Sequence, residues 1–291
     1  METRIPVVSG QFYPADHDSC IAEIQQCLDD YPLPDNLPEK IVAGIVPHAG
    51  WTFSGPLAAL VFNAIKQQNK TVDTFVVFGA AHSYYGNTPA VFDKGAWSTP
   101  LGDIAIDTEL ADALIESGAV VSNTAAHNNE HSMEVQMPFI QHLFPYAKIV
   151  PVLSPPTEES IEAGFVVASL IAADDERSIV AIGSTDLTHY GPRYGFAPMG
   201  TGQDALDWAT NVNDKEFIDL ALQVKPKEML DSANTNFNAC GPGAAAAAVE
   251  VAKQLGRKKG TLLAHTNSNE IMIKKMARRS EESVGYAAIV F

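Results

Sequence analysis

The chain has 291 residues, 46% of them hydrophobic and 19% charged, an ordinary globular composition with enough apolar residues for a sizeable core. Its formal net charge of −16 repels phosphate backbones and anionic lipid, so neither a nucleic-acid nor a membrane partner is expected. The three cysteines are no disulfide framework, no apolar run approaches the roughly 20 residues of a membrane span, and the first residues lack a leader pattern, so a cytoplasmic location is expected.

A first amphipathic helix is expected at about 18–28, where Cys20, Ile24, Cys27 and Leu28 share a face and both cysteines read as small core hydrophobes. Pro32, Pro34 and Pro38 make the following segment a loop, because proline removes the N–H that regular structure needs. Residues 41–46 are a continuous apolar run ending at Pro47, as suits a buried strand. The spacing of Leu57, Leu60, Val61, Ala64 and Ile65 predicts a helix over 56–67. A second strand is expected at 74–78, and a helix at 108–116 stopped by Gly118. Met133, Met137, Ile140 and Phe144 form one stripe of a helix expected to begin near Asn129. A strand at 148–153, a helix at 158–173 and a strand at 179–182 come next, then helices at about 205–222 and 243–255. Residues 261–264 and 284–291 read as closing strands. Such alternation predicts an α/β fold, a mostly parallel sheet covered by helices on both faces. No break in composition divides the chain, which reads as one domain over 1–291.

The functional signal lies just past the ends of three of these strands. The run 41–46 leads into Pro47-His48-Ala49-Gly50-Trp51, the run 75–78 into Gly79-Ala80-Ala81-His82, and the run 179–182 into Gly183-Ser184-Thr185-Asp186-Leu187-Thr188-His189. Open α/β sheets bind ligands outside the carboxyl ends of their strands, so three such ends carrying a His or Asp point to a shared polar pocket. Each residue also has a plainer reading, as a loop residue or a turn cap. Asp186 and His189 are spaced so that the carboxylate can orient the imidazole, as suits a general base. Cys240 precedes the alanine-rich helix in Ala239-Cys240-Gly241-Pro242, where the helix dipole favours a thiolate, a nucleophile or a soft metal ligand, although a buried structural thiol fits the local sequence equally well. In His127-Asn128-Asn129-Glu130-His131-Ser132-Met133-Glu134 the acidic residues read as the capped first turn of a helix, which leaves His131 unexplained and places it in or beside the pocket. His17, His142 and His265 have no comparable setting.

Pro47-His48-Ala49-Gly50-Trp51-Thr52-Phe53-Ser54-Gly55, Glu130-His131-Ser132-Met133-Glu134, Ser184-Thr185-Asp186-Leu187-Thr188-His189-Tyr190-Gly191 and Ala239-Cys240-Gly241 together resemble the Memo-like family, whose prokaryotic members are called AmmeMemoRadiSam system protein B. The likeness runs from Gly10-Gln11-Phe12-Tyr13-Pro14 to Val284-Gly285-Tyr286-Ala287-Ala288, nearly the whole chain. It implies a three-layer α/β/α fold with a mostly parallel or mixed sheet, similar to that of class III extradiol dioxygenases, which use non-haem Fe(II). By the same resemblance His48, His82 and Cys240 look like metal ligands, and Asp186 and His189 like the adjacent acid/base pair. The cysteine stands where those dioxygenases carry a carboxylate, so their reaction does not follow from the fold. The segment after the second strand also lacks the Pro and second His of many family members, whose role passes to Tyr84 or Tyr85 or is lost.

Three functions emerge as expectations. The first is a metal-dependent oxidoreductase acting on a small molecule, with Fe(II) or copper at the site and zinc as the alternative. The second is a non-catalytic binding or scaffold protein that keeps the pocket, in line with the link of eukaryotic relatives to signalling and motility. The third is a hydrolase using Cys240 with His189 as base, which needs those two within hydrogen-bond reach. The family name further implies association with other AmmeMemoRadiSam system proteins.

Overall fold

A computed structural model describes residues 3–291. Six strands carry the architecture: β1 (Ala43–Val46), β2 (Thr74–Ala80), β3 (Lys148–Ser154), β4 (Ile179–Ser184), β5 (Thr261–Asn267) and β6 (Ser283–Val290). The sheet runs β5-β6-β1-β4-β2-β3 and continues past β3 through the short strands Ala90–Val91 and Val121–Ser122. β1, β4, β2 and β3 are parallel neighbours; β6 is antiparallel to β1 and to β5. The sheet is therefore mixed, with a parallel centre.

Alternate side chains of the central strands feed two separate cores, as the two-residue period of a strand requires. Val46, Phe75, Val77, Ile149, Val180 and Ile182 pack with the helices α1 (His17–Asp29) and α2 (Trp51–Gln68). Ala43, Ile45, Val76, Phe78, Val150 and Ala181 pack on the other face with α3 (Thr108–Glu116), α4 (Glu158–Ala173) and α5 (Pro242–Gln254). Both faces of the sheet are covered, which gives three α/β/α layers.

Helix α5 lies unusually close to its neighbours. A Cβ on Gly183 of β4 would meet the Ala244 carbonyl oxygen at 2.6 Å, and one on Gly164 of α4 the Ala247 carbonyl oxygen at 2.4 Å. Alanine on one side and glycine on the other are what permit this approach, and every residue from Pro242 to Ala252 is buried.

Three expected elements differ from those observed. Helix α2 starts at Trp51 rather than Pro56, so Pro56 stands inside it. The Thr52 carbonyl, which Pro56 cannot reach with an N–H, accepts instead from Lys275 Nζ at 2.9 Å. The helix expected from Asn129 is a 3-10 turn at Glu134–Gln136 followed by Met137–Leu143. Glu130 and Glu134 are not exposed first-turn acids but buried ones, turned inward onto hydrogen-bond partners. The helix expected at 205–222 is interrupted by a π-helical turn at Ala209–Asp214, and helices not expected from the sequence lie at Pro226–Asn236 and Ser268–Met276.

The N-terminal segment is fastened by one of these inward carboxylates. Glu134 accepts from Arg4 Nη1, the Val7 and Val8 amides and the Tyr13 hydroxyl at 2.8–3.1 Å. Arg4 also lies 4.2 Å above the Trp97 ring and donates to the His127 and Glu130 carbonyls. His127 itself is buried against Phe92 and Trp97, with Nε2 bonded to the Ala90 carbonyl and Nδ1 without a partner among the described residues. Burial, and then the nearby guanidinium, lower its pKa from 6.5 to about 3. The unfolded chain therefore takes up this proton first: the stability that depends on a neutral His127 is whole above pH 6.5 and is lost as pH falls toward 3. In urea titrations over that range, His127→Gln is expected to flatten the loss by about 1 kcal/mol per pH unit relative to the wild type.

Candidate functional site

The strand order explains why the polar residues meet. β1, β4 and β2 are adjacent and parallel, with Val46 opposite Ser184 and Phe78 opposite Gly183, so all three carboxyl ends open at one edge. His48 follows β1, Asp186 and His189 follow β4, and His82 follows β2. Cys240 arrives from the opposite direction, at the entry to α5. Its amide donates to the Asp186 carbonyl at 3.2 Å, and the Gly241 amide to Thr185 Oγ1 at 2.9 Å.

Two groups of donors result, each with one ligand atom per residue within 4.8 Å of the others: His48, His82 and His131, and His48, Asp186 and Cys240. His48 is common to both. His82 and Cys240 fall in different groups, and His131, expected in or beside the pocket, stacks on His82 at 4.8 Å between ring centroids. It occupies the neighbourhood for which Tyr84 and Tyr85 were candidates; Tyr84 instead donates to the Thr88 carbonyl, and Tyr85 is fully in solvent.

The outer nitrogens of two imidazoles are anchored. Ser184 Oγ donates its single proton to the Ser132 carbonyl at 2.7 Å, so its 3.1 Å contact with His48 Nδ1 requires that nitrogen to carry the proton. His48 Nε2 is then the free lone pair, 3.2 Å from Cys240 Sγ. His82 bonds through Nδ1 to Glu130 Oε1 at 2.9 Å, while its amide donates to Oε2 of the same carboxylate at 3.0 Å. The Ser132 amide adds a third bond to Glu130 at 2.8 Å. Glu130 is therefore part of the site, not the helix cap that its sequence context implied.

Electrostatics follow from this burial. Desolvation pushes His48 well down, helped by the neighbouring imidazoles. At His82 desolvation also acts downward, but the Glu130 hydrogen bond and charge outweigh it and the pKa is raised. Glu130, despite its own burial, is held at about 2 by His82 and the Ser132 amide. Asp186 is pushed up to about 7 by burial, although the His48 and Ala49 amides bond to it. His189 is lowered to about 4, chiefly by burial. Cys240 was expected to favour the thiolate at a helix N-terminus; burial and the Asp186 carboxylate instead push the thiol up.

Asp186 and His189 do not form the expected oriented pair. Oδ2 and Nε2 stand 4.0 Å apart, beyond a hydrogen bond, while Asp186 Oδ1 accepts from the His48 amide at 2.7 Å. His189 Nε2 is left buried without a hydrogen-bond partner among the described residues. The loop that carries both residues is held from behind by the π-turn: Asp214 accepts the Thr188 amide at 2.9 Å, and Asn213 donates to Thr188 Oγ1 at 3.0 Å. Asn238, two residues before Cys240, donates to the Asn213 carbonyl at 3.2 Å. Nothing in the local sequence of Asn213 and Asp214 announces this role.

Replacing Glu130 with Gln is expected to lower the His82 pKa, raised in the wild-type metal-free protein, to below 6.5, since the charge that outweighs desolvation is gone. An NMR titration of the imidazole Cε1–H signals reads this directly.

Residues 4–290 match the model of a family described as Memo-like protein. A MEMO1 family protein of Thermococcus onnurineus is 36% identical over 296 residues, covering 99% of each chain. Another, from Methanosarcina mazei, is 34% identical over 294 residues, covering 100% of this chain and 99% of its own. An uncharacterized protein of Escherichia coli K12 with a solved structure aligns over 84% of this chain and 99% of its own with a TM-score of 0.50 and 17% identity, a likeness of fold alone.

Proposed function

This chain belongs to the Memo-like family, and we propose that its strand-end pocket holds a redox metal, iron or copper, and serves a metal-dependent oxidoreductase acting on a small organic molecule. One observation carries the reading. His48 and His82 each commit Nδ1 to an outer anchor, Ser184 and Glu130, so that both rings keep Nε2 as the free donor. Imidazoles fixed in this way have a defined tautomer, the arrangement that metal-binding histidines use. Cys240 Sγ beside His48 Nε2 and the unpartnered Nε2 of His189 add donors that the fold leaves unused.

The donor set fits a metal better than it fits a nucleophile. We assign His48, His82 and Cys240 as the ligands, as the family resemblance implies; His82 groups with His48 and His131, and Cys240 with His48 and Asp186, so that His48 is the donor common to both. Thiolate with imidazole favours copper, iron or zinc over magnesium or calcium. Such an ion, when bound, supplies Lewis acidity and, for iron or copper, electron transfer. Without it, burial holds the Cys240 thiol protonated and His48 neutral, the reverse of the thiolate–imidazolium pair that a cysteine hydrolase requires. The imidazole next to Cys240 is moreover His48, not the His189 that hydrolysis called for.

The remaining residues have proton and positioning roles. Asp186, at about 7, gains or loses a proton near neutral pH. His189, at about 4, is neutral there and offers an unpaired ring to a substrate hydroxyl.

Metal analysis tests the reading. Protein from cells supplied with iron or copper, or reconstituted anaerobically, is expected to hold one ion per chain. His48→Ala should abolish binding, and Glu130→Gln should weaken it roughly 10–100-fold by releasing the outer nitrogen of His82. Cys240→Ser should remove any thiolate-to-metal charge-transfer band. A chain that stays metal-free under every supply and reconstitution would sink the proposal in favour of a binding protein.

A further inference from the structure

His82 and Cys240 lie in different donor groups, and the group without the thiol consists of imidazole alone. His48, His82 and His131 each bring one ligand atom within 4.8 Å of the other two. The rings of His82 and His131 are nearly parallel, 13° apart in plane and 4.8 Å between centroids. Both turn Nδ1 toward one carboxylate oxygen, Glu130 Oε1, at 2.9 and 3.6 Å. The two nitrogens of an imidazole lie on opposite flanks of the ring, so both Nε2 atoms face away from Glu130. The His48 ring stands perpendicular to these two, at 5.2 and 5.4 Å, with its own Nδ1 held by Ser184. Among the described residues neither His82 nor His131 makes a hydrogen bond through Nε2.

Packing alone explains a stacked pair of rings, and His131 also has the Phe12 ring edge-on at 5.1 Å. It does not explain why a buried carboxylate faces the outer nitrogens of both stacked imidazoles while a buried serine holds that of the third. Histidines that bind a metal direct their other ring nitrogen to partners of this kind. His131 also borders the cavity of about 520 Å³ that reaches Asp186 and His189, which gives an ion a way in and leaves room for water beside it. Cys240 has another setting. Its sulfur lies 3.2 Å from His48 Nε2, and the further donor of its group is Asp186.

We propose that Nε2 of His48, His82 and His131 form a second metal position, which takes a borderline divalent ion, zinc or cobalt(II), without Cys240. Three imidazoles suit such ions and leave a fourth coordination site for water. His48 has a single free lone pair, so an ion here and an ion on Cys240 exclude each other. The softness of the ion then decides which position fills, because a soft ion such as copper(I) prefers the sulfur. The inference rests on the reading of the pocket as a metal centre, from which it takes His48 and His82; His131 is its own addition.

Cobalt(II) is the probe, because its absorption spectrum reports a bound thiolate through a sulfur-to-cobalt charge-transfer band. Chelator-treated wild-type protein, titrated anaerobically, is expected to bind one cobalt ion per chain and to lack that band. His131→Gln should weaken cobalt affinity, measured against a competing chelator, by more than Glu130→Gln does, since losing a ligand costs more than the roughly 10–100-fold of losing an outer anchor. His131→Cys, made in a Cys240→Ser background so that the sulfur is assigned, should gain the charge-transfer band that the wild type lacks. A residue that merely packs against His82 gives no such gain, and this variant reads the position even where His131→Gln fails to fold. Three results would each overturn the proposal: a charge-transfer band in cobalt-loaded wild type, a loss in His131→Gln no larger than that in Glu130→Gln, or no band with sulfur at position 131. The two metal readings fail separately. A chain that binds copper or iron through Cys240 but gives any of these results, or takes no cobalt, refutes the three-imidazole position alone, whereas a chain that takes no ion at all refutes both.

Discussion

The close seating of the alanine-rich helix between sheet and outer helix is the constraint on which the pocket depends. Gly183 and Gly164 leave no room for a side chain against the carbonyls of Ala244 and Ala247. The helix therefore cannot slide outward or rotate without losing contacts on both flanks, and a close-packed interior transmits that rigidity to its ends. Its entry must then lie against the end of β4. Cys240 is delivered to His48 by that geometry, and the bonds to Thr185 and Asp186 fix the last of its freedom.

A second layer of order comes from buried carboxylates. Glu134 gathers the N-terminal segment and Arg4, while Glu130 gathers His82 and the backbone around Ser132. The two sit four residues apart, on a stretch whose irregular backbone lets one face the N-terminal strap and the other the pocket. An ionised carboxylate that is taken out of water must be matched by several donors, and each has at least three. The same chemistry leaves Asp186 undermatched, with its pKa near neutrality, and leaves His189 without a partner. Satisfied groups build the frame, and unsatisfied ones mark where a ligand belongs.

The π-turn at Ala209–Asp214 has the complementary task. One extra residue per turn breaks the regular register of the helix, and both Asn213 and Asp214 are freed to bond the loop of Thr188. Asn238 ties the cysteine-bearing segment to the same turn. The loops that bring Asp186, His189 and Cys240 together are thus braced from outside by a single irregular element. His265, which has no evident setting in the sequence, stands 3.2 Å from Asp214 and completes that brace.

Much of this is legible in the amino-acid sequence itself. Apolar runs ending in Pro47, Gly79 and Gly183 mark buried parallel strands, and the polar residues past them mark the ligand edge, because strand period and the punctuation of glycine and proline are local properties. The resemblance of the motifs to the family implies the division into proposed ligands and proposed acid/base residues. Only the tertiary structure decides which donors stand together, since strand order is set by packing across the sheet: β4 lies between β1 and β2, and His48 becomes the residue shared by two donor groups. It also reverses the local expectations for Cys240, Glu130 and the Asp186–His189 pair. Those depend on burial and on competing hydrogen bonds from segments up to 192 residues away in the chain, which no local pattern contains.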